Sequence, residues 1–241
     1  MIGFIHSLES FATFEGRGIR TAVFMSGCHL RCAFCHNPDT WTFNAGQEVL
    51  PDSLAKRILR FKPYFSRGGG VTFTGGEPLL QADFILEVIQ ILKASNINVA
   101  IDSSISILND SVLTLYNSLD FVIADLKFNT AELYKSECGS DVFKTVIESL
   151  EYLNQSNIPV ILRTVIIPSK NDTIEDINKY FYLVKYFKNI KTYELKPFHT
   201  MGFTKYADLG IINPYANIQD ANMDIVLMLQ DHLNNLIKGV N

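Results

Sequence analysis

Three things are scarce in this chain of 241 residues: surplus positive charge, long apolar runs and cysteine. The formal net charge is −4. That argues against a general nucleic-acid binder, because phosphate recognition needs a basic face. No apolar stretch approaches the ~18 residues that would suggest a membrane span. The start, Met1-Ile2-Gly3-Phe4-Ile5-His6 with Glu9 close behind, lacks the basic lead and apolar run of a signal peptide. A cytoplasmic protein with neither membrane nor nucleic acid as partner is expected. Only four cysteines occur, three of them within eight positions, with Cys138 alone. A secreted disulfide framework would spread and pair them, whereas a tight cluster reads as a metal or redox site.

No low-complexity run, charge block or long linker divides the sequence, so residues 1–241 read as one domain. Hydrophobic residues make up 47%, enough for a sizeable core. A strand-then-helix pattern repeats about six times. Short apolar runs at Ile19–Met25, Val71–Thr74, Val99–Asp102, Phe121–Asp125, Val160–Ile167 and Thr192–Leu195 predict strands covered on both faces, as in a parallel sheet. Apolar stripes predict helices between them: Phe84, Ile85, Val88, Ile89 and Leu92; Phe143, Val146, Ile147, Leu150 and Leu153; Ile174, Ile177, Phe181 and Val184, capped by Asp172-Thr173; and last Ile225, Leu229, Leu233 and Leu236. The predicted fold is an α/β, open TIM-like barrel of about six βα units, since eight do not fit.

Barrels of this type carry their chemistry at the C-terminal ends of the strands. There this chain places Cys28, Cys32 and Cys35, then Gly75-Gly76-Glu77-Pro78, Asp102, Asp125-Leu126-Lys127 and Lys196-Pro197-Phe198-His199. Arg163 lies inside the fifth predicted strand. Gly68-Gly69-Gly70 reads as a mobile turn rather than a phosphate cradle, because no helix start follows it.

Thiolates are the usual ligands of iron–sulfur clusters, and a cubane normally takes four. Three cysteines in one loop leave one iron of a [4Fe–4S] cluster open, and S-adenosylmethionine (SAM) can fill that position through its amino and carboxylate groups. One electron passed into the sulfonium then yields a 5′-deoxyadenosyl radical, which abstracts hydrogen. Two other readings fit part of the pattern. Cys32-Ala33-Phe34-Cys35 is a CxxC pair of the thioredoxin kind, which has no use for Cys28. Three cysteines with His36 or His29 would suit structural zinc. A zinc- or disulfide-bearing binding protein is therefore the alternative of another class. Cys138 reads as a small buried residue.

The run Gly27-Cys28-His29-Leu30-Arg31-Cys32-Ala33-Phe34-Cys35-His36-Asn37-Pro38-Asp39-Thr40-Trp41 resembles the cluster loop of the pyruvate formate-lyase activating enzymes, glycyl-radical activases of the radical SAM superfamily. The resemblance continues through Gly69-Gly70-Val71-Thr72, Gly75 to Gln81, Asp125-Leu126-Lys127 and Lys196 to His199. It implies stereospecific removal of hydrogen from a backbone glycine of a large partner enzyme, pyruvate formate-lyase, with a flavodoxin or ferredoxin as electron donor. Another glycyl-radical enzyme or another substrate is the alternative on the same scaffold. It implies that Phe34, Cys35 and His36 border the adenine side of SAM and that Gly76 and Glu77 meet its amino group. Lys127, in the run Asp125-Leu126-Lys127, would face the carboxylate or ribose end. His199 would lie near the adenine, and Arg163 would be a further partner for anionic groups. Asp102, Ser103 and Asp125 would match a monovalent-cation site beside SAM.

Simpler roles coexist with these. Glu77 also stands where an acidic side chain caps a helix start, and Asp125 and Lys127 share a strand face and can pair. The chain departs from the family pattern twice. Glu15-Gly16-Arg17-Gly18 stands where members usually carry Asp-Gly-Pro-Gly, the segment that helps receive the partner's glycine loop. Asp102-Ser103-Ser104-Ile105 stands where Asp-Thr-Asn-Gly or Asp-Thr-Ser-Gly is usual, and Ile105 is a poor substitute for a glycine at positive φ.

Overall fold

The computed structural model describes residues 1–66 and 68–239. Its strands are β1 (Gly3–Ala12), β2 (Arg20–Met25), β3 (Gln47–Val49), β4 (Gly70–Gly75), β5 (Asn98–Ser103), β6 (Phe121–Asp125), β7 (Val160–Ile166) and β8 (Ile190–Pro197). Its α-helices are α1 (Pro51–Leu59), α2 (Ala82–Lys93), α3 (Asp110–Tyr116), α4 (Ala131–Cys138), α5 (Phe143–Gln155), α6 (Ile174–Val184), α7 (Phe203–Asp208) and α8 (Met223–Lys238). All eight strands join one sheet in the order β3-β1-β2-β4-β5-β6-β7-β8. From β2 to β8 every neighbouring pair is parallel. The sheet ends at β3 and β8, so it is an open barrel.

The six expected strands are the six parallel ones, and their burial explains why they are legible. Strands β2, β4, β5 and β6 are buried on both faces along most of their length, which demands continuous apolar runs. The helices expected from apolar stripes are α2, α5, α6 and α8. Thr173 caps α6 by accepting from the Asp176 N–H, and Asp172 accepts from the Ser169 N–H at 3.0 Å.

Two strands were not foreseen. β1 runs antiparallel to β2 and β3 antiparallel to β1. β1 alternates buried and exposed residues and has irregular register around Phe11, whose φ is +64°. Of the triple glycine, Gly68 lies in the expected turn, whereas Gly69 and Gly70 are tightly packed. A Cβ on Gly69 would lie 2.1 Å from the Ile19 carbonyl oxygen, and one on Gly70 would lie 1.9 Å from that of Asn98. These glycines let β4 enter the sheet tightly packed between its neighbours.

Candidate active site

Cys28, Cys32 and Cys35 line one cavity of about 280 Å³ at the C-terminal ends of the parallel strands. With them stand Glu15, Phe34, His36, Gly76, Glu77, Asp102, Ser103, Asp125 and Lys127. The expected residues therefore converge from the ends of β2, β4, β5 and β6. Leu126 is fully buried beside the cavity, and its carbonyl accepts from the Thr164 hydroxyl at 2.7 Å. Arg163, Gly16 and Arg17 line an adjoining cavity with Glu194 and Lys196. His199 touches the site through His36: the two rings stack with centroids 3.9 Å apart, and His36 Nε2 bonds to the His199 carbonyl at 2.8 Å.

The cysteine loop is held mainly by backbone. Gly27 N–H donates to the Thr40 carbonyl at 2.8 Å and Cys28 N–H to that of Trp41 at 3.2 Å. The last carbonyls of α4 serve the loop as well: Glu137 accepts from Ala33 N–H at 2.8 Å and Cys138 from Arg31 N–H at 2.9 Å. Helix C-termini expose such unpaired acceptors. The Tyr206 hydroxyl of α7 donates to the Cys35 carbonyl at 3.0 Å. Gly76 is required by the same loop, since a Cβ there would sit 2.3 Å from the Gly27 carbonyl oxygen. Helices α4 and α7 escaped the sequence reading because neither carries an apolar stripe. The signal for α4 was its ends: Thr130 caps the Leu133 N–H, and Gly139 closes the helix at φ +70°.

All four cysteines are free. Burial pushes the Cys28 thiol up to about 12, with the Glu77 charge adding to the shift. Burial likewise takes Cys35 up to about 11, with Cys32 contributing. Cys32 is raised because it hydrogen-bonds to Cys138 and is buried, while Lys127 acts in the opposite direction. Three thiols kept protonated by a poorly solvated cavity fit a group that brings its own positive charge, since metal binding displaces thiol protons. The histidines of the zinc alternative are engaged elsewhere: His36 with His199, and His29 Nε2 with the Ser106 hydroxyl at 3.0 Å.

Glu77 is 1% exposed and receives four donors. Its Oε1 accepts from the Ser103 hydroxyl at 2.6 Å and from Leu79 N–H at 3.1 Å, the capping bond of the turn that follows. Its Oε2 accepts from Ser104 N–H at 3.0 Å and from the Ser104 hydroxyl. Among the described residues no cationic side chain pairs with it. Its acceptor sites are filled but its charge is uncompensated, so a ligand ammonium in the cavity would be attracted to it.

The other carboxylates are balanced. Lys127 Nζ lies 2.9 Å from Asp125 and 5.8 Å from the centre of the Phe34 ring. Burial alone would lower the Lys127 pKa, but Asp125 and the nearby thiols of Cys32 and Cys138 raise it well above the ordinary lysine value. Arg163 lies 3.2 Å from Asp102 and 3.1 Å from Glu194, and it donates to the Phe14 carbonyl at 2.7 Å. Asp102 is still raised well above the usual carboxylate range by burial, by Asp125 and by Glu15. The three residues expected around a cation thus have other partners here: Asp102 has Arg163, Asp125 has Lys127, and Ser103 has Glu77.

Residues 22–181 match the family model of the radical SAM superfamily. The chain is 36% identical to the pyruvate formate-lyase-activating enzyme of Clostridium pasteurianum, an alignment covering 99% of this chain and 100% of the relative. It is 34% identical to the protein of that name from Listeria monocytogenes, over 95% of this chain and 94% of the relative. Among solved structures, Streptococcus suis SuiB bound to S-adenosylmethionine superposes with a TM-score of 0.67 at 16% identity, covering 88% of this chain and 46% of SuiB. A domain of a pyruvate-formate lyase-activating enzyme from Bacteroides vulgatus gives a TM-score of 0.57 at 17% identity, covering 70% of this chain and 94% of that domain. The chain belongs to the radical SAM superfamily and, within it, to the pyruvate formate-lyase-activating enzymes.

Proposed function

We propose that this chain activates a pyruvate formate-lyase by removing a hydrogen atom from one of its backbone glycines. The observation that carries the reading is the convergence of Cys28, Cys32 and Cys35 with the unpaired Glu77 carboxylate in one cavity, in a chain of this family. When bound there, the [4Fe–4S] cluster and SAM supply a 5′-deoxyadenosyl radical that takes the hydrogen atom.

The protein's own residues do the rest. Cys28, Cys32 and Cys35 would hold the cluster through their thiolates, leaving room in the cavity for SAM. Glu77 receives the methionyl ammonium, with Gly76 alongside. Lys127 lies across the same cavity and serves the carboxylate or ribose end. Phe34 and His36, the latter stacked on His199, form the wall for the adenine. Arg163 steadies this arrangement by tying the end of β5 to β7 and β8. A monovalent cation held by Asp102, Ser103 and Asp125 would share those oxygens with their present partners, and hard oxygen ligands suit such an ion.

The segment Glu15-Gly16-Arg17-Gly18 receives the partner's glycine loop. Glu15 reaches the cysteine cavity, while Gly16 and Arg17 line the cavity next to it. A flavodoxin or ferredoxin delivers the electron. Among the described residues no helix is long and apolar enough to cross a membrane.

The test is anaerobic reconstitution followed by two measurements: deoxyadenosine formed, and glycyl radical seen by electron paramagnetic resonance with pyruvate formate-lyase or a peptide copying its glycine loop. Glu15→Ala and Arg17→Ala should lower radical yield more than uncoupled SAM cleavage. SAM cleavage with no glycyl radical on any pyruvate formate-lyase would transfer the reading to a different substrate.

A further inference from the structure

From the cavity wall at Glu77 and Ser104 a chain of side chains runs back to Ser106 and His29, which the proposed reaction does not use. Behind Glu77 the Ser104 and Ser106 hydroxyls lie 2.6 Å apart, and Ser106 Oγ lies 3.0 Å from His29 Nε2. Glu77 fixes the direction of every bond in this chain. A carboxylate only accepts, so Ser104 spends its one hydroxyl hydrogen on Oε2. The Ser104 oxygen must then accept from Ser106, whose hydrogen is likewise spent. Ser106 in turn accepts from the Nε2–H of His29. Four residues are thus locked in one polarity, with His29 at the head and the carboxylate at the end. His29 Nδ1 is buried without a partner, which fits a tautomer whose proton is on Nε2.

A second feature shows that the backbone is bent to make this chain. Ile105, between the two serines, has a φ of +48°, a region that β-branched residues avoid. Such strain persists only where the surroundings over-determine it. Here the Ile105 N–H donates to Ser103 Oγ at 2.8 Å, and its side chain is fully buried. The left-handed turn brings the hydroxyls of Ser104 and Ser106 to the same side, toward Glu77 and His29.

We propose that His29, Ser106 and Ser104 are positioning residues that orient the Glu77 carboxylate for the methionyl ammonium of SAM. The proposal rests on the reading of Glu77 given above. A carboxylate held by two donors on each oxygen cannot rotate, so its charge is aimed before the ligand arrives.

The experiment measures SAM binding by equilibrium dialysis to the anaerobic, cluster-loaded enzyme, together with iron content and thermal midpoint. Ser106→Ala should weaken SAM binding about five-fold, the scale of one buried hydrogen bond. Ser104→Ala, which removes a direct donor, should weaken it more. Ser106→Thr keeps the hydroxyl and should restore binding. Iron content of Ser106→Ala should match the parent, and its midpoint should fall by only about 2–4 °C, the scale of one lost buried bond, since a general loss of structure would lower both far more. Glu77→Gln is the reference. If it binds SAM as the parent does, the reading of Glu77 fails and takes the chain with it. If Glu77→Gln weakens binding while Ser104→Ala and Ser106→Ala do not, the positioning chain alone is overturned. Weakening by Ser106→Ala that Ser106→Thr does not restore also overturns it.

Discussion

Arg20 is 0% exposed and carries a charge with no carboxylate in ion-pair contact among the described residues. Its guanidinium is held by neutral acceptors at the start of the parallel sheet: Thr72 Oγ1 at 2.7 Å, the Val71 carbonyl at 2.6 Å, Asn98 Oδ1 at 2.9 Å, and the carbonyls of Gly68, Asn98 and Arg17 at 3.1, 3.3 and 3.4 Å. It also lies 5.0 Å from the centre of the Phe121 ring. Arg20→Met keeps most of the stem and removes every donor. Only the Thr72 and Val71 acceptors are fully buried. Each left bare costs about 1–3 kcal/mol, the rest being open to water. Against this, burial lowers the Arg20 pKa to about 10, so removing the charge recovers part of the loss. The balance is about 3 kcal/mol, which for a domain of this size is a fall of about 6–12 °C in melting temperature. Arg20→Lys retains the charge but reaches fewer acceptors and should melt between the two. Circular dichroism melts of the cluster-free protein under anaerobic conditions measure it. A midpoint for Arg20→Met within about 2 °C of the parent would refute the assignment of Arg20 as a sheet anchor. The function should respond as well: Thr72 Oγ1 donates to the Glu15 carbonyl at 2.7 Å, and Arg20 holds that of Arg17. Arg20→Lys should therefore reduce glycyl-radical yield more than deoxyadenosine formation.

Changing Cys28, Cys32 or Cys35 to Ala should abolish the brown chromophore or leave an unstable cluster, as absorbance and iron analysis would show. Cys138→Ala should retain it, because the loop uses the Cys138 carbonyl, which survives the change. Lys127→Ala should assemble the cluster yet bind SAM about ten-fold or more weakly, as expected for loss of a buried charged contact; unchanged affinity would remove Lys127 from the SAM site. Asp102 carries a raised pKa, so its contribution to stability is fully present below the unfolded carboxyl value and is lost as pH rises through the folded one. Asp102→Asn should accordingly flatten the fall in midpoint of the cluster-free protein between acid and neutral pH, in melts recorded across that range.

The legible part of the fold was the part whose environment is uniform. A strand buried on both faces must be apolar throughout, and β4, β5 and β6 announce themselves for that reason. β1 meets water on one side, so it reads Gly3-Phe4-Ile5-His6-Ser7-Leu8-Glu9-Ser10, and its bulge at Phe11 breaks even the alternation. β3 has only three residues, too few to carry a pattern. The cysteines, Glu77, Asp125 and Lys127 were legible because each follows a readable strand. Ser104, Ser106 and His29 were not, since their relation to Glu77 depends on a left-handed turn at Ile105. The sequence argues against that turn, because Ile rarely adopts it.

The same physics accounts for the place of Glu15, which chain order puts at the wrong end of the barrel. It precedes β2, whose C-terminal end bears the cysteines, yet it lines their cavity. The segment before β2 therefore reaches back to that cavity while touching β4, β6 and β7, and glycine makes this path available. Gly16 has a φ of +114°, and a Cβ there would lie 2.6 Å from the Phe121 ring. Gly18 has a φ of +71°, and its Cβ would meet the Ser66 carbonyl at 2.3 Å. With Arg20 holding the exit and Arg163 bonded to the Phe14 carbonyl, the segment is pinned on both sides of Glu15. The longer arm of Glu relative to Asp then matters. It brings the carboxylate close enough to Asp102 to help raise that residue's pKa, and its Oε2 remains buried without a donor. A glycine-bearing loop entering along this side would offer backbone N–H groups, the donors that this oxygen lacks. A segment pinned in this way lines the cysteine cavity and keeps a buried acceptor there without a donor.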